Sequence, residues 1–297
     1  MDYLDWYHEY GYCENYVLPF YIKQDCGNLF FAGTLTLVYY KERPYFITAS
    51  HCIHDSYDYK KNGVFLISKH GDINISEYIK GLYRYSEYDI LIMDVKIIIS
   101  DHEYIVIDER LGSGSDIDFL YIVGYPVKKS PKVIHKTINV KDLYNSKLTT
   151  QSIDGHEKER SSINQSLILI SKFEEYNDRH IISYNDLSNA EYFYDGKKEK
   201  GYSPKGMSGG AIFYADKKEY SYSIGGYDNE KKEFKKQKEI NLHFAGILIK
   251  HQNEKMLIGV SRDKIISLLD KTILDILNKE YGNVLAYFEY GKSLLIS

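Results

Sequence analysis

Short apolar runs, rich in β-branched and aromatic residues, recur along the chain with turn residues between them. They occupy positions 29–40, 45–49, 63–68, 90–99, 119–125, 166–170, 210–214, 242–249 and 256–260. Glu42-Arg43-Pro44, Asn62-Gly63 and His70-Gly71-Asp72 are the clearest turns. Many short strands at this spacing predict an all-β sandwich or barrel. One segment has a different period. Over 262–280 the apolar residues are Ile265, Ile266, Leu269, Ile273, Ile276 and Leu277, which is one stripe of a helix. Ser261 fits as its N-cap and Gly282-Asn283 as its stop. The stretch 284–296 fits either a strand or a tail that docks a partner. Segments 126–165 and 216–240 read as inserted polar loops. The second carries the Lys-rich run 231–238, which reads as a solvated face.

Composition narrows the class. With 297 residues the chain fits two barrels, or one domain with appendages. Hydrophobic residues at 43% and charged residues at 27% allow a core and a solvated surface. A net charge of −4 does not supply the basic field of a nucleic-acid binder. Only six of the 38 basic residues are Arg, the better residue for bidentate phosphate contacts. The acidic, aromatic start and the absence of a long apolar run predict a cytoplasmic protein with no membrane association. Cys13, Cys26 and Cys52 form no metal spacing and no even disulfide framework, so free thiols are expected. No cofactor or metal is implied.

Three segments carry candidate chemistry. In Lys205-Gly206-Met207-Ser208-Gly209-Gly210, small residues surround a hydroxyl and an apolar strand follows. A Ser hydroxyl needs a base to take its proton and donors to hold a developing oxyanion. In Ile47-Thr48-Ala49-Ser50-His51-Cys52, a buried strand runs into a His, a fixed mount for a general base. His54 is the local rival. In Tyr88-Asp89-Ile90-Leu91, a carboxylate opens an apolar strand, where partial burial demands a hydrogen-bonding partner. An imidazole N–H is such a partner. Asp94, five positions on, falls on the opposite face of the strand. The order His51, Asp89, Ser208 is that of the chymotrypsin arrangement.

These blocks resemble the three catalytic blocks of the trypsin/chymotrypsin-like serine proteases. Ala32-Gly33-Thr34-Leu35, Phe244-Ala245-Gly246-Ile247 and Ile258-Gly259-Val260-Ser261 are similar to the family's strand before the histidine, its pocket strand and its closing strand. The resemblance implies two six-stranded antiparallel barrels with the site between them. It divides the chain into an N-terminal extension (1–25), a first barrel with His51 and Asp89 (26–118), a second barrel with Ser208 (119–261), and a C-terminal helix and tail (262–297). It implies an oxyanion hole at the Gly206 and Ser208 amides and a specificity pocket at Tyr202, Ile249 and His251. The substrate would be a protein or peptide, cleaved through an acyl-enzyme.

Two departures matter. Met207 stands where secreted members have the Asp that receives a freed N-terminal amine, and Cys52 lacks the family's partner Cys. The pattern is most similar to bacterial intracellular trypsin-like proteases that act in defence or stress. Activation by a protein partner, or a non-enzymatic binding module on the same fold, are the alternative readings.

Overall fold

The apolar runs pair into two large sheets. The computed structural model of the chain describes residues 11–68, 71–99, 102–107, 117, 119–127, 130, 133–134, 151–153, 156–158, 166–184, 191–194, 197–200, 203–228, 233–253 and 255–294. The first sheet contains β1 (Val17–Lys23), β2 (Leu29–Tyr40), β3 (Arg43–Ala49), β4 (Val64–Ser68), β5 (Gly71–Asn74), β6 (Ile79–Tyr85) and β7 (Ile90–Val95). Their order is β5-β4-β1-β2-β3-β7-β6, and β8 (Ile105–Val106) and β10 (Val133–Ile134) add to β2. The second sheet is a closed barrel. It contains β9 (Phe119–Gly124), β13 (Leu167–Tyr176), β14 (His180–Tyr184), β17 (Ala211–Asp228), β18 (Glu233–Gln252) and β19 (Met256–Ser261), in the order β13-β14-β19-β18-β17-β9. Between these strands lie two small hairpins, β11 (Gln151–Ile153) with β12 (His156–Lys158) and β15 (Glu191–Tyr194) with β16 (Lys197–Lys200). A closed six-stranded barrel beside a curled half-barrel, followed by a C-terminal helix, matches the expected chymotrypsin-like architecture, except that the first sheet holds nine strands, one of them paired in parallel, where a six-stranded antiparallel barrel was expected.

The barrel strands read as continuous apolar runs because both of their faces are covered. On β9, Leu120 and Ile122 point into the barrel cluster with Leu169, Ile181 and Leu257. Tyr121 and Val123 point the other way, into a cluster shared with Leu37, Ile47 and Ile92 of the first sheet. Strand β17 alternates likewise, with Ile212 inward and Ala211 and Phe213 outward. Strict alternation over two apolar faces is the pattern of a strand sandwiched between layers. The larger cluster therefore lies between the two sheets and fixes one against the other.

Several elements differ from the sequence-based expectation. Val17–Lys23, placed above in an N-terminal extension, is β1, paired to β2 along its length and to β4 at Phe20, Tyr21 and Ile22. Burial of its first five residues is the reason. Segment 216–240, expected as a loop, is mostly an antiparallel ribbon. Beyond a register break after Ala215, pairs run from Tyr220–Ile240 to Asp228–Glu233. Of segment 126–165, β10, β11 and β12 are described as strands and much of the rest lies outside the described residues.

The C-terminal helix runs Arg262–Leu294, so 284–294 is neither strand nor separate tail. Gly282 and Asn283 do not stop it. The cost of glycine in a helix is ~1 kcal/mol, which neighbouring turns outweigh. Its start is as expected, since the Ser261 hydroxyl accepts from the Lys264 amide at 3.4 Å. No helix among the described residues is long and apolar enough to cross a membrane.

The helix lies against the outer edge of the first sheet. Tyr85 donates its hydroxyl to the Leu268 carbonyl at 3.1 Å and shares a hydrogen bond with the Thr272 hydroxyl at 2.8 Å. Lys264, Lys271 and Lys279 stand over the rings of Tyr88, Tyr85 and Tyr83, at 4.9, 5.5 and 4.9 Å from the centroids. Each such contact is worth ~0.5–1 kcal/mol at an exposed site. The ladder covers the chain just before Asp89.

Candidate active site

His51 and Asp89 are brought together by strand register. On β3 and β7, Ala49 pairs with Ile90, so the residue after the first strand meets the residue before the second. After Ala49 the chain tightens into a 3-10 turn, Ser50–Cys52. Asp89 closes the turn Ser86–Tyr88 in the left-handed region at φ 54°. Asp enters that region more readily than most residues. The Asp89 carbonyl accepts from the Ser50 amide at 2.8 Å. Its Oδ1 accepts from the His51 amide at 2.9 Å, and its Oδ2 lies 2.6 Å from His51 Nδ1.

This contact favours the charged form of the imidazole. His51 is pushed up to about 10, first by the Asp89 hydrogen bond and then by one to the Cys52 thiol, with partial burial acting against both. The ring keeps about half its surface exposed, which leaves Nε2 for another partner. His54 instead pairs its Nδ1 with the Ser56 hydroxyl at 2.8 Å. Asp94 is buried within the first sheet, opposite Tyr45 in the register and remote from the His51 turn.

Ser208 belongs to a loop held from both sheets. Two tight turns share Met207: its amide donates to the Pro204 carbonyl at 2.9 Å, and its carbonyl accepts from the Gly210 amide at 2.8 Å. From the first sheet, the Thr34 amide donates to the Ser208 carbonyl at 3.1 Å. The Thr34 hydroxyl donates to the Gly206 carbonyl at 3.2 Å and the Thr36 hydroxyl to the Gly209 carbonyl at 2.7 Å. The Cys52 thiol points at the Ser208 carbonyl from 3.7 Å, which places the Ser208 backbone beside the residue that follows His51. From the barrel, the Leu248 carbonyl accepts from the Gly209 amide at 2.7 Å. Among the described residues, neither the Gly206 nor the Ser208 amide donates to a backbone carbonyl.

Two glycines of this loop have positive φ and no room for a Cβ. Gly209 has φ +89°, and a Cβ there would lie 2.1 Å from the Thr34 carbonyl oxygen and 2.3 Å from the Thr48 hydroxyl. Both obstacles belong to the first sheet, and the Thr48 hydroxyl is itself fixed on the Thr34 carbonyl at 2.7 Å. Gly209→Ala is expected to destabilise the protein by ~3 kcal/mol or more, combining left-handed strain with overpacking. Urea unfolding checks this, and a wild-type midpoint would refute it. Gly206 has φ +99°, and a Cβ there would lie 2.7 Å from the Val127 amide nitrogen.

Met207 is fully buried in the barrel cluster. An apolar side chain therefore occupies the position before Ser208, and the loop is held by packing and by the threonines. Of the residues assigned to a specificity pocket, Tyr202 lies outside the described residues. Ile249 is buried at an irregularity of β18 and packs in the intersheet cluster, whereas His251 is exposed near the end of that strand. Cys13, Cys26 and Cys52 are all free. Among the described residues, no three His, Cys, Asp or Glu side chains group as metal ligands.

Sequence reasoning missed the roles of Thr34, Thr36 and Thr48, and it missed Arg84, whose guanidinium reaches the His51 turn. The threonines carry a signal: three hydroxyls at buried positions of apolar strands need acceptors. For Arg84 the signal is scarcity, one of six Arg in a chain that otherwise uses Lys.

No family model matches the chain, and no curated protein matches it. Among solved structures the chain is similar to neuropsin, a serine protease expressed in the limbic system of mouse brain. Identity is 11%, the match covers 88% of this chain and 96% of that one, and the TM-score is 0.43.

Proposed function

We propose that the chain is a serine endopeptidase in which Ser208 is the nucleophile, His51 the general base and Asp89 the group that orients it. The observation that carries this reading is the double contact of one carboxylate with one histidine, Asp89 Oδ2 to Nδ1 and Oδ1 to the amide. It fixes the tautomer, so that Nε2 is left to take the Ser208 proton. Ser208 Oγ then attacks the peptide carbonyl, and the Gly206 and Ser208 amides hold the oxyanion. The proton passes from Nε2 to the leaving amine, the acyl-enzyme forms, and water resolves it with His51 again as base. Labelling of Ser208 by a fluorophosphonate tests the assignment. Wild type is expected to label and His51→Ala is not. Equal labelling of both would reject it.

The charge on His51 favours a latent form as a second reading. An imidazole pushed up to about 10 is protonated at neutral pH and cannot act as a base until it loses that proton. A substrate or protein partner that weakens the Asp89 or Cys52 contact would release it. The expected pH dependence follows. Asp89 and Cys52 are the groups that hold the ring charged, so kcat/KM should rise with pH through the alkaline range rather than near 6.5. Asp89→Asn should move that limb downward. A rising limb near 6.5 in wild type would count against the resting charge.

The free thiols fit a reducing compartment, and we place the enzyme in the cytoplasm. A role as a bacterial defence or stress effector rests on the family resemblance. Peptides released from a cell lysate by wild type and not by Ser208→Ala would identify its targets.

A further inference from the structure

The turn that carries His51 is gripped from a second side. Arg84 lies at the end of β6, five residues before Asp89. Its Nη1 donates to the Ser50 carbonyl at 2.7 Å and also contacts the Ser50 hydroxyl. Its Nη2 donates to the Ile53 carbonyl at 2.8 Å. Its Nε pairs with Asp55 at 2.9 Å. The fork thus bridges residues 50 and 53, on either side of His51, with 55 as a third anchor. The Asp55 side chain is 77% exposed, so that ion pair adds little by itself. The two carbonyl contacts are charge-assisted and made at a partly buried site.

We propose that Arg84 is the positioning residue for the general base: its guanidinium holds both ends of the His51 turn in register with Asp89. This rests on the reading of His51 as the base of Ser208. The stretch 84–89 then acts as a two-ended clamp, with the Arg84 fork on the turn's carbonyls and the Asp89 carboxylate on its amide and ring. A lysine cannot reproduce this, because one ammonium does not offer the planar fork that spans both carbonyls. A misplacement of about 1 Å at a reacting group costs ~100-fold in rate.

Titration of the His51 ring, followed by NMR in the full chain, separates positioning from charge. Asp89 and Cys52 face the ring, while Arg84 and Asp55 lie behind the turn. If Arg84 acted only through its charge, removing that charge would raise the His51 midpoint and Arg84→Lys would leave it unchanged. If Arg84 positions the turn, loss of the fork loosens the Asp89 contact and lowers the midpoint in both Arg84→Met and Arg84→Lys. The rate constant for fluorophosphonate labelling of Ser208 is expected to fall ~10–100-fold in Arg84→Lys with little change in probe affinity. A downward midpoint in Arg84→Lys supports the proposal, and an unchanged or higher one overturns it. Should Arg84→Met not fold, the charge-retaining variant carries the test. If wild type does not label at all, the Ser208 reading fails while the His51 midpoint still decides the role of Arg84.

Discussion

Ser208→Ala is expected to lower kcat/KM for a peptide substrate by ~10⁴- to 10⁶-fold, the loss seen when a nucleophile acting in a unit with its base is removed. The fold should not change. The hydrogen bonds that tie the loop to the two sheets are made by backbone groups of residues 206–210: the Ser208 carbonyl with Thr34, the Gly209 carbonyl with Thr36, and the Gly209 amide with Leu248. Truncating the side chain of Ser208 touches none of these. Thermal unfolding at the wild-type temperature, together with loss of turnover, is the expected pair of results. His51→Ala should fall by a similar factor, and the double variant should be no worse than either single one. Additive losses would mean that the two residues do not work as one unit. Full peptidase activity in Ser208→Ala would remove the assignment.

Asp89→Asn is expected to cost ~10⁴-fold in kcat. The substitution keeps the shape, and Asn accepts the left-handed backbone at position 89 as readily as Asp does. Its amide oxygen can still accept from the His51 backbone. Its NH₂ group then faces Nδ1, where only an acceptor can satisfy it, so the ring proton moves to Nε2. In that tautomer the nitrogen meant for the Ser208 proton already carries one. A kcat that falls with KM little changed, and a His51 tautomer reversed by NMR, are the expected readouts. Asp89→Ala is the poorer test, because it adds left-handed strain at φ 54° to the loss of the carboxylate.

The triad candidates were legible because each lies at the end of an apolar run. Strand register alone joins two of them: Ala49 opposite Ile90 places His51 against Asp89. The choice of Asp89 over Asp94 follows the same logic, since Asp94 is paired opposite Tyr45 inside the sheet. Strand β1 was hidden by Pro19, which argues against a central strand. It is tolerated because β4 pairs β1 only at Phe20, Tyr21 and Ile22, leaving Pro19 with a partner on one side. The ribbon at 216–240 looked like a loop because its Lys and Glu residues suit solvent as well as a strand. The helix past Gly282 was not legible either, because local stop signals weigh less than the turns already formed. For the Arg84 clamp the scarcity of Arg was the one signal, since its acceptors are backbone carbonyls and those leave no mark on composition.

The lysine–tyrosine ladder has a consequence for timing. Residues 262–294 leave the ribosome only after both sheets have been made, and domains fold as they emerge. Until then the rings of Tyr83, Tyr85 and Tyr88 have no lysines over them, and the turn ending at Asp89 lacks its outer support. On the proposed chemistry, a nascent chain carries all three triad residues before it carries the brace for one of them. The braced site then forms only after the sheets that carry its residues.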